Sequence, residues 1–292
     1  MASLKEVKSR ITSVISTQQI TKAMKMVAAA KLRKSQERIT QMRPFAQKLT
    51  QLFQNLSAAG QGEPTWYNTA RPEEKILIVV VSSDRGLCGS FNSTVIKAVN
   101  REIAEKYSSQ AAKGNVSVLP LGKKAFEFFS KRNYKMVADY YTVFQGLSYA
   151  SVSVIGEYLM DSFKRGEYDK IEIVYNEFKN VATQILRVEQ FLPVLMPETD
   201  KQAVDTDYIY LPNQEDIVTG LVPKALKIQL FKSVLDSNAA ENGARMTAMD
   251  KATENAGDLL KDLKLTYNRT RQAAITKEIL EIVAGAEALK TS

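Results

Sequence analysis

The strongest constraint in this sequence lies at its two ends. Both are long, poor in proline, and carry a stripe of residues at every third and fourth position. In residues 1–58 the stripe runs Leu4, Val7, Ile11, Val14, Gln18, Thr21, Lys25, Ala28, Leu32, Ser35, Ile39, Met42, Ala46, Leu49, Phe53 and Leu56, with Pro44 the only proline. From Lys224 to Ser292 there is no proline; Met249, Ala252, Ala256, Leu259 and Leu263 keep heptad spacing, and Ile275, Ile279, Ile282 and Ala286 resume it. This is the spacing of helices that meet along a seam. At 1.5 Å per residue the two would be rods of roughly 85 and 100 Å. Rods so long cannot bury their stripes on the stretch between them. They are therefore expected to pack on each other as an antiparallel coiled coil.

Details of the rods carry expectations of their own. Between Gln18 and Lys25 the seam turns polar, and the apolar stripe is expected to slide to Ile20, Met24 and Val27. Pro44 is expected to bend the helix or mark a change of neighbour. Gly243 and Gly257, inside "AAENGARMTAMDKATENAG", put hydrogen where a helix prefers a side chain, at up to about 1 kcal/mol each. They are expected where another backbone comes close or where neighbours encase the rod.

"AAGQGEPTWYNTARPEEK" (58–75) collects Gly, Pro and Asn and reads as a boundary loop. Beyond it, Lys75–Val81 and Val116–Pro120 are apolar runs of strand length. Ser93–Tyr107, Lys123–Arg132 and Ser148–Arg165 have helical spacing. "KIEIVYNEF" and "ATQILRVEQFLPV" alternate with period two around "KNVA", a hairpin pattern, and "DYIYLPN" (207–213) is a candidate last strand. The fold class is α/β plus long helices: a central Rossmann-like α/β domain (75–213), with a mostly parallel sheet and an antiparallel edge, attached to terminal helices 1–58 and 214–292.

Composition narrows the chemistry. The chain has no histidine and one cysteine, Cys88, in 292 residues. That removes Ser-His-Asp and Cys-His catalysis, HExxH metal sites, cysteine zinc sites and internal disulfides. Residues 1–58 carry eleven Lys and Arg against Glu6 and Glu37, a net +9, so the remainder of this +8 chain is −1. A basic rod on a near-neutral body implies an acidic partner: nucleic acid, an anionic membrane surface or an acidic protein. The aromatic residues that would stack on bases are missing from residues 1–44, which argues against nucleic acid. No run is long and apolar enough to span a membrane, and the N-terminus has no secretory core and reads as the first helix.

One segment resembles an active site. "ILIVVVSSDRGLCGSFN" (76–92) runs from strand to glycine loop to helix, the order in which many folds hold phosphate. It lacks the lysine of a Walker loop and has only a GxxG pair, Gly86 and Gly89. Asp84 would repel a phosphate, although Arg85 could offset it. The segment reads as a strand-to-helix turn, and Cys88 as a small packed residue. The carboxylate pairs Glu73/Glu74 and Glu278/Glu281 lie in a linker and on a helix face and make no convincing acid–base site. Two readings stand on the residues alone: an α/β nucleotide-dependent enzyme with helical arms, and a coiled-coil scaffold or nucleic-acid-binding protein.

"ITKAMKMVAAAKLRK" (20–34) and "ITKEILEIVAGAEAL" (275–289), the latter with Ile275, Thr276, Glu278, Glu281, Gly285 and Ala286, resemble the terminal signatures of the gamma subunits of F-type ATP synthase. "SSDRGLCGSFN" (82–92) and "ENGARMTAMDKATENAG" (241–257) resemble internal segments of the same family. The resemblance implies a non-catalytic rotor shaft that carries rotation of the membrane c-ring to the catalytic sites of the beta subunits, with no cofactor or metal of its own. Lys22, Met24 and Lys25 match positions facing an acidic loop of beta, and Arg271, Gln272, Thr276 and Glu278 match positions meeting its catch loop. Arg85 and Cys88 fall on the loop that faces a beta subunit. Ile279, Ile282, Val283 and Leu289 would enter the apolar sleeve of the alpha–beta hexamer, and Tyr208 and Tyr210 the c-ring or epsilon side. The implied partners are the alpha, beta and epsilon subunits and the c-ring. The implied place is the cytoplasmic face of a bacterial inner membrane, peripheral to it. The cysteine-bearing chloroplast insertion is absent, so thiol control is not implied.

Overall fold

In the computed structural model, residues 3–58, 66–69, 71–132, 134–194 and 214–290 are described. Helix α1 spans Leu4–Ala58 and runs through Pro44. Strand β1 (Ile76–Val81) leads to helices α2 (Phe91–Glu105) and α3 (Ser108–Ala112), strand β2 (Val116–Leu121), helix α4 (Lys123–Ser130) and strand β3 (Lys135–Met136). A 3-10 turn (Val143–Gly146), helix α5 (Tyr149–Lys164) and the hairpin β4 (Lys170–Phe178) and β5 (Gln184–Leu192) follow. Helix α6 (Gln214–Lys290) closes the chain. The two terminal helices pack together, antiparallel. The strand expected at 207–213 lies outside the described residues.

The five strands are ordered β3-β2-β1-β4-β5. The first four are parallel and β5 pairs antiparallel with β4, as the period-two pattern around "KNVA" requires. Asn180 makes that turn: its Oδ1 accepts the main-chain N–H of Ala182 and Thr183. The two-residue β3 was missed in the sequence because so short an edge carries no periodicity. In β1 every residue is buried. Leu77, Val79 and Val81 face α5 and the first part of α6, while Ile76, Ile78 and Val80 face α2 and α4. A strand covered by helices on both faces must be apolar throughout, and "ILIVVV" is.

The described contacts divide the chain into two units, residues 28–245 and residues 1–27 with 246–292. In the larger unit, α1 and α6 meet through Leu32, Ile39, Leu235 and Ala239, and Ser35 Oγ donates to Asn238 Oδ1 at 2.8 Å. In the smaller unit the seam does not slide. Ile20 and Val27 are 59% and 57% exposed, whereas Thr21 is buried. Polar pairing holds the polar register: Thr21 and Thr253 hydroxyls lie 2.7 Å apart, Gln18 Nε2 donates to Thr253 O, and Lys25 pairs with Asp250 at 2.6 Å. Gly257 faces the Gln18 amide, which a Cβ would approach to 3.1 Å. Leu259, expected on the seam, is exposed.

Candidate functional site

In an open α/β sheet, ligands bind where the strand order reverses, outside the carboxyl ends of the strands. Here that crevice lies beyond β1 and β4. The loop 82–90, which resembles a phosphate loop in the sequence, leaves β1 at this point. Its polar groups are spent on the protein itself. Lys123 N donates to Asp84 Oδ1 (3.2 Å), Lys124 N to Ser83 O (3.0 Å), Ala125 N to Ser82 Oγ (2.9 Å) and Phe126 N to Gly122 O (3.3 Å). The first three are the leading N–H groups of α4, which a helix cannot satisfy from within, and Phe126 N makes the first bond inside the helix. Asp84 is therefore a helix cap rather than a misplaced acid.

The rest of the loop is tied down from within. Ser83 N donates to Asn92 Oδ1, Asn92 Nδ2 to Ser83 Oγ, and Ser83 Oγ to Arg85 O at 2.6 Å. Cys88 is buried beneath it, beside Asn92 Nδ2 at 3.3 Å. Burial pushes its thiol above the ordinary value, and the hydrogen bond from Ser83 only partly opposes this. Its side chain is thus not on the surface a partner would touch. The burial matches the reading of Cys88 as a small packed residue. Arg85 is exposed, and Leu87 is 66% exposed with φ +65°.

The crevice itself is filled by α6. Ala240 packs against Cys88, Phe91 and Phe178. At Gly243 a Cβ would stand 3.2 Å from the Phe178 ring and 3.7 Å from Val181 main chain, which is the close approach its small size was expected to serve. Arg245 reaches back over the loop, donating to Gly86 O at 2.5 Å and Arg85 O at 3.2 Å while pairing with Glu241. Both side chains of this pair are nearly buried, at 12% and 14% exposure. Sequence reading quoted this stretch for its small residues and missed the pair. The available signal was a Glu and an Arg four apart on a face otherwise made of Ala and Gly.

Strongly perturbed groups elsewhere are structural. Burial, then the hydrogen bond to Glu172 at 2.6 Å, holds the Tyr107 hydroxyl well above its usual range, and burial beside Glu189 does the same at Tyr175. Among the described residues no group of three His, Cys, Asp or Glu is placed to hold a metal, and no helix is long and apolar enough to cross a membrane. A 640 Å³ groove between α1, α5 and α6, lined by Met42, Phe45, Tyr149, Ile228 and Phe231, carries only Arg38 and Lys224 as charges. It has no carboxylate for acid–base chemistry.

The remaining expected residues lie on the helices. Lys22 is exposed, Met24 half-buried, and Lys25 is engaged with Asp250. Arg271, Gln272, Thr276 and Glu278 are all exposed, with Thr276 Oγ1 turned back to Gln272 O. From 271 to 287 every residue of α6 is exposed, including Ile275, Ile279, Leu280, Ile282 and Val283. Leu289 lies on this helix with its side chain outside those described, and Tyr208 and Tyr210 lie outside the described residues.

Comparison with known proteins bears on the whole chain. Residues 3–289 match the family described as ATP synthase. The ATP synthase gamma chain of Cytophaga hutchinsonii is 54% identical over 293 residues, covering 99% of each chain. That of Chlorobaculum parvum is 48% identical over 291 residues, covering 99% of this chain and all of its own. Among solved structures, a chain of the Tetrahymena thermophila mitochondrial ATP synthase central stalk and c-ring is 25% identical, with TM-score 0.58 over 80% of this chain and 99% of that one. A chain of the Euglena gracilis mitochondrial ATP synthase rotor shares the fold, with TM-score 0.66 at 20% identity over 93% of this chain and 98% of that one.

Proposed function

The chain belongs to the ATP synthase gamma-chain family, and from that membership we propose that it is the central shaft of a bacterial enzyme. It carries rotation of the membrane c-ring to the catalytic sites of the beta subunits and catalyses nothing itself. The observation that carries this reading is the end of α6: seventeen successive exposed residues, 271–287, with five large apolar side chains among them. A monomer in water rarely leaves such a helix uncovered. A protein bore that encloses it would bury those side chains.

The chain's own residues then act as a shaped surface. Ile279, Ile282, Val283 and Leu289 turn within an apolar sleeve of the alpha–beta hexamer. Arg271, Gln272, Thr276 and Glu278 present hydrogen-bonding groups to the beta catch loop, where a charge-assisted pair shielded from water is at its strongest. Lys22 offers its charge to the acidic loop of beta, beside half-buried Met24. Lys25 shares its charge between that loop and its own Asp250. Arg85 faces a beta subunit from the α/β domain, and the Tyr208–Tyr210 segment faces epsilon and the c-ring. The chain is peripheral to the cytoplasmic face of the inner membrane and binds no nucleic acid.

The family's chemistry resides in beta. This accords with a switch-point crevice filled by α6 and a neighbouring α4 N-terminus whose first N–H groups are already bonded to Ser82, Ser83 and Asp84. The test is to purify the tagged chain from its native membranes in mild detergent. Alpha, beta, epsilon and c subunits are expected with it in fixed ratio, and their absence would overturn the assignment.

A further inference from the structure

The tip of the loop 82–90 combines two features that rarely coincide. Leu87 is a non-glycine residue in the left-handed region, at φ +65°, and its side chain is 66% exposed. Left-handed backbone at a leucine is strained, and an exposed apolar side chain gains nothing in water. Glycine at this position would relieve the first and remove the second. Neighbouring contacts hold the conformation in place. Arg245 binds the carbonyls of the two preceding residues, Arg85 and Gly86, and Cys88 O accepts Phe91 N on the other side. Glu241 fixes the Arg245 guanidinium, so the tip rides on α6 rather than on its own flexible chain.

We propose that Leu87 is the residue with which this loop engages the beta subunit, and that the Glu241–Arg245 pair is its positioning element, locking the tip to the shaft helix. The proposal rests on the shaft reading given above. Beta supplies an apolar socket for Leu87, rimmed by carboxylates that meet exposed Arg85. Because Arg245 joins the tip to α6, rotation of the helix carries Leu87 with it, and resistance met by Leu87 returns to the helix.

The test uses the full chain, assembled with alpha, beta, epsilon and the c-ring, in three variants and one double variant. Leu87→Gly relaxes the backbone and deletes the anchor, Leu87→Met keeps an apolar anchor, and Arg245→Ala frees the tip. The readouts are the denaturation midpoint of the chain and the ions pumped per ATP hydrolysed in vesicles. Leu87→Gly should unfold at the same or a higher denaturant concentration than the parent, yet lose pumping per ATP by about fivefold, the scale of losing one anchor residue. Leu87→Met should retain it. Arg245→Ala should fall as Leu87→Gly does, and the Leu87→Gly, Arg245→Ala double variant should be no worse than either alone. Normal coupling in Leu87→Gly, or losses that add in the double variant, would overturn the proposal while the parent chain still assembles and couples. Failure of the parent chain itself to assemble with alpha and beta would instead bring down the shaft reading.

Discussion

Gly122 joins β2 to α4 with φ 110° and ψ 144°. A Cβ built there would lie 2.3 Å from Ser82 O, 2.7 Å from Ser82 Oγ and 2.8 Å from Ser82 C. Two of these are main-chain atoms of the segment that follows β1, so the conflict cannot be relieved by turning a side chain. Gly122→Ala must strain its own backbone, at about 1–3 kcal/mol. It must also push Ser82 away from Ala125 N and Leu121 O, two hydrogen bonds at about 1 kcal/mol each. The sum is about 3–5 kcal/mol. Gly114→Ala is the control, because Gly114 also has positive φ, at 71°, but no atom within 4 Å of its Cβ position. It should lose only the strain, about 1–2 kcal/mol. Trp66, the only tryptophan, packs on the sheet core edge-to-face with Tyr67 and reports unfolding of this region by fluorescence in urea. If Gly122→Ala were no less stable than Gly114→Ala, the close approach of Ser82 to the head of α4 would be refuted.

Three other outcomes follow from the same geometry. Asp84→Ala removes the acceptor for Lys123 N and should lower stability by about 1 kcal/mol, the usual value of a helix cap. Titration calorimetry should still give no heat with ATP, and binding in this variant would mean that the acid had been masking a phosphate site. Cys88, buried and with its thiol held above the ordinary value, should react with iodoacetamide at pH 7 at least about a hundredfold more slowly in the native chain than in urea; equal rates would place the thiol at the surface. Truncation after Glu278 removes only residues without burial among those described, so the Trp66 unfolding curve should move by less than about 0.5 kcal/mol. Ions pumped per ATP by the assembled complex should fall, and unaltered coupling would detach the end of α6 from the proposed bearing role.

What the sequence made legible was whatever repeats with a period. The heptad seam of α1 from Leu4 to Met42 is the face that the structure buries or half-buries, and alternation in β4 and β5 foretold their antiparallel pairing. Three things escaped. The expected slide of the seam at Gln18–Lys25 rested on apolar residues alone, whereas Thr21, Thr253, Lys25 and Asp250 hold the polar register by bonding to one another. The left-handed turn at Leu87 depends on loop dihedrals, which carry no periodic signal. The Glu241–Arg245 pair serves carbonyls more than 150 residues away in sequence, and spacing along a helix shows that such residues share a face but not what that face meets.

The resemblance of loop 82–90 to a phosphate site has a physical origin in the fold. A parallel strand that turns into the crevice of a doubly wound sheet presents helix N–H groups there, whatever the chain later does with them. A nucleotide-binding protein leaves those groups open and aims glycines at the ligand. This chain spends Ser82, Ser83 and Asp84 on the N-terminus of the neighbouring α4 and lays α6 across the crevice, where Ala240 and Gly243 are small enough to let it sit close. The same site that would otherwise hold a small molecule thus holds a segment of the long helix, and Arg245 takes main-chain carbonyls of the loop where a ligand would take its N–H groups. A crevice filled in this way has exchanged ligand binding for a fixed joint between sheet and helix, and a fixed joint is what the proposed shaft role would require of an α/β domain.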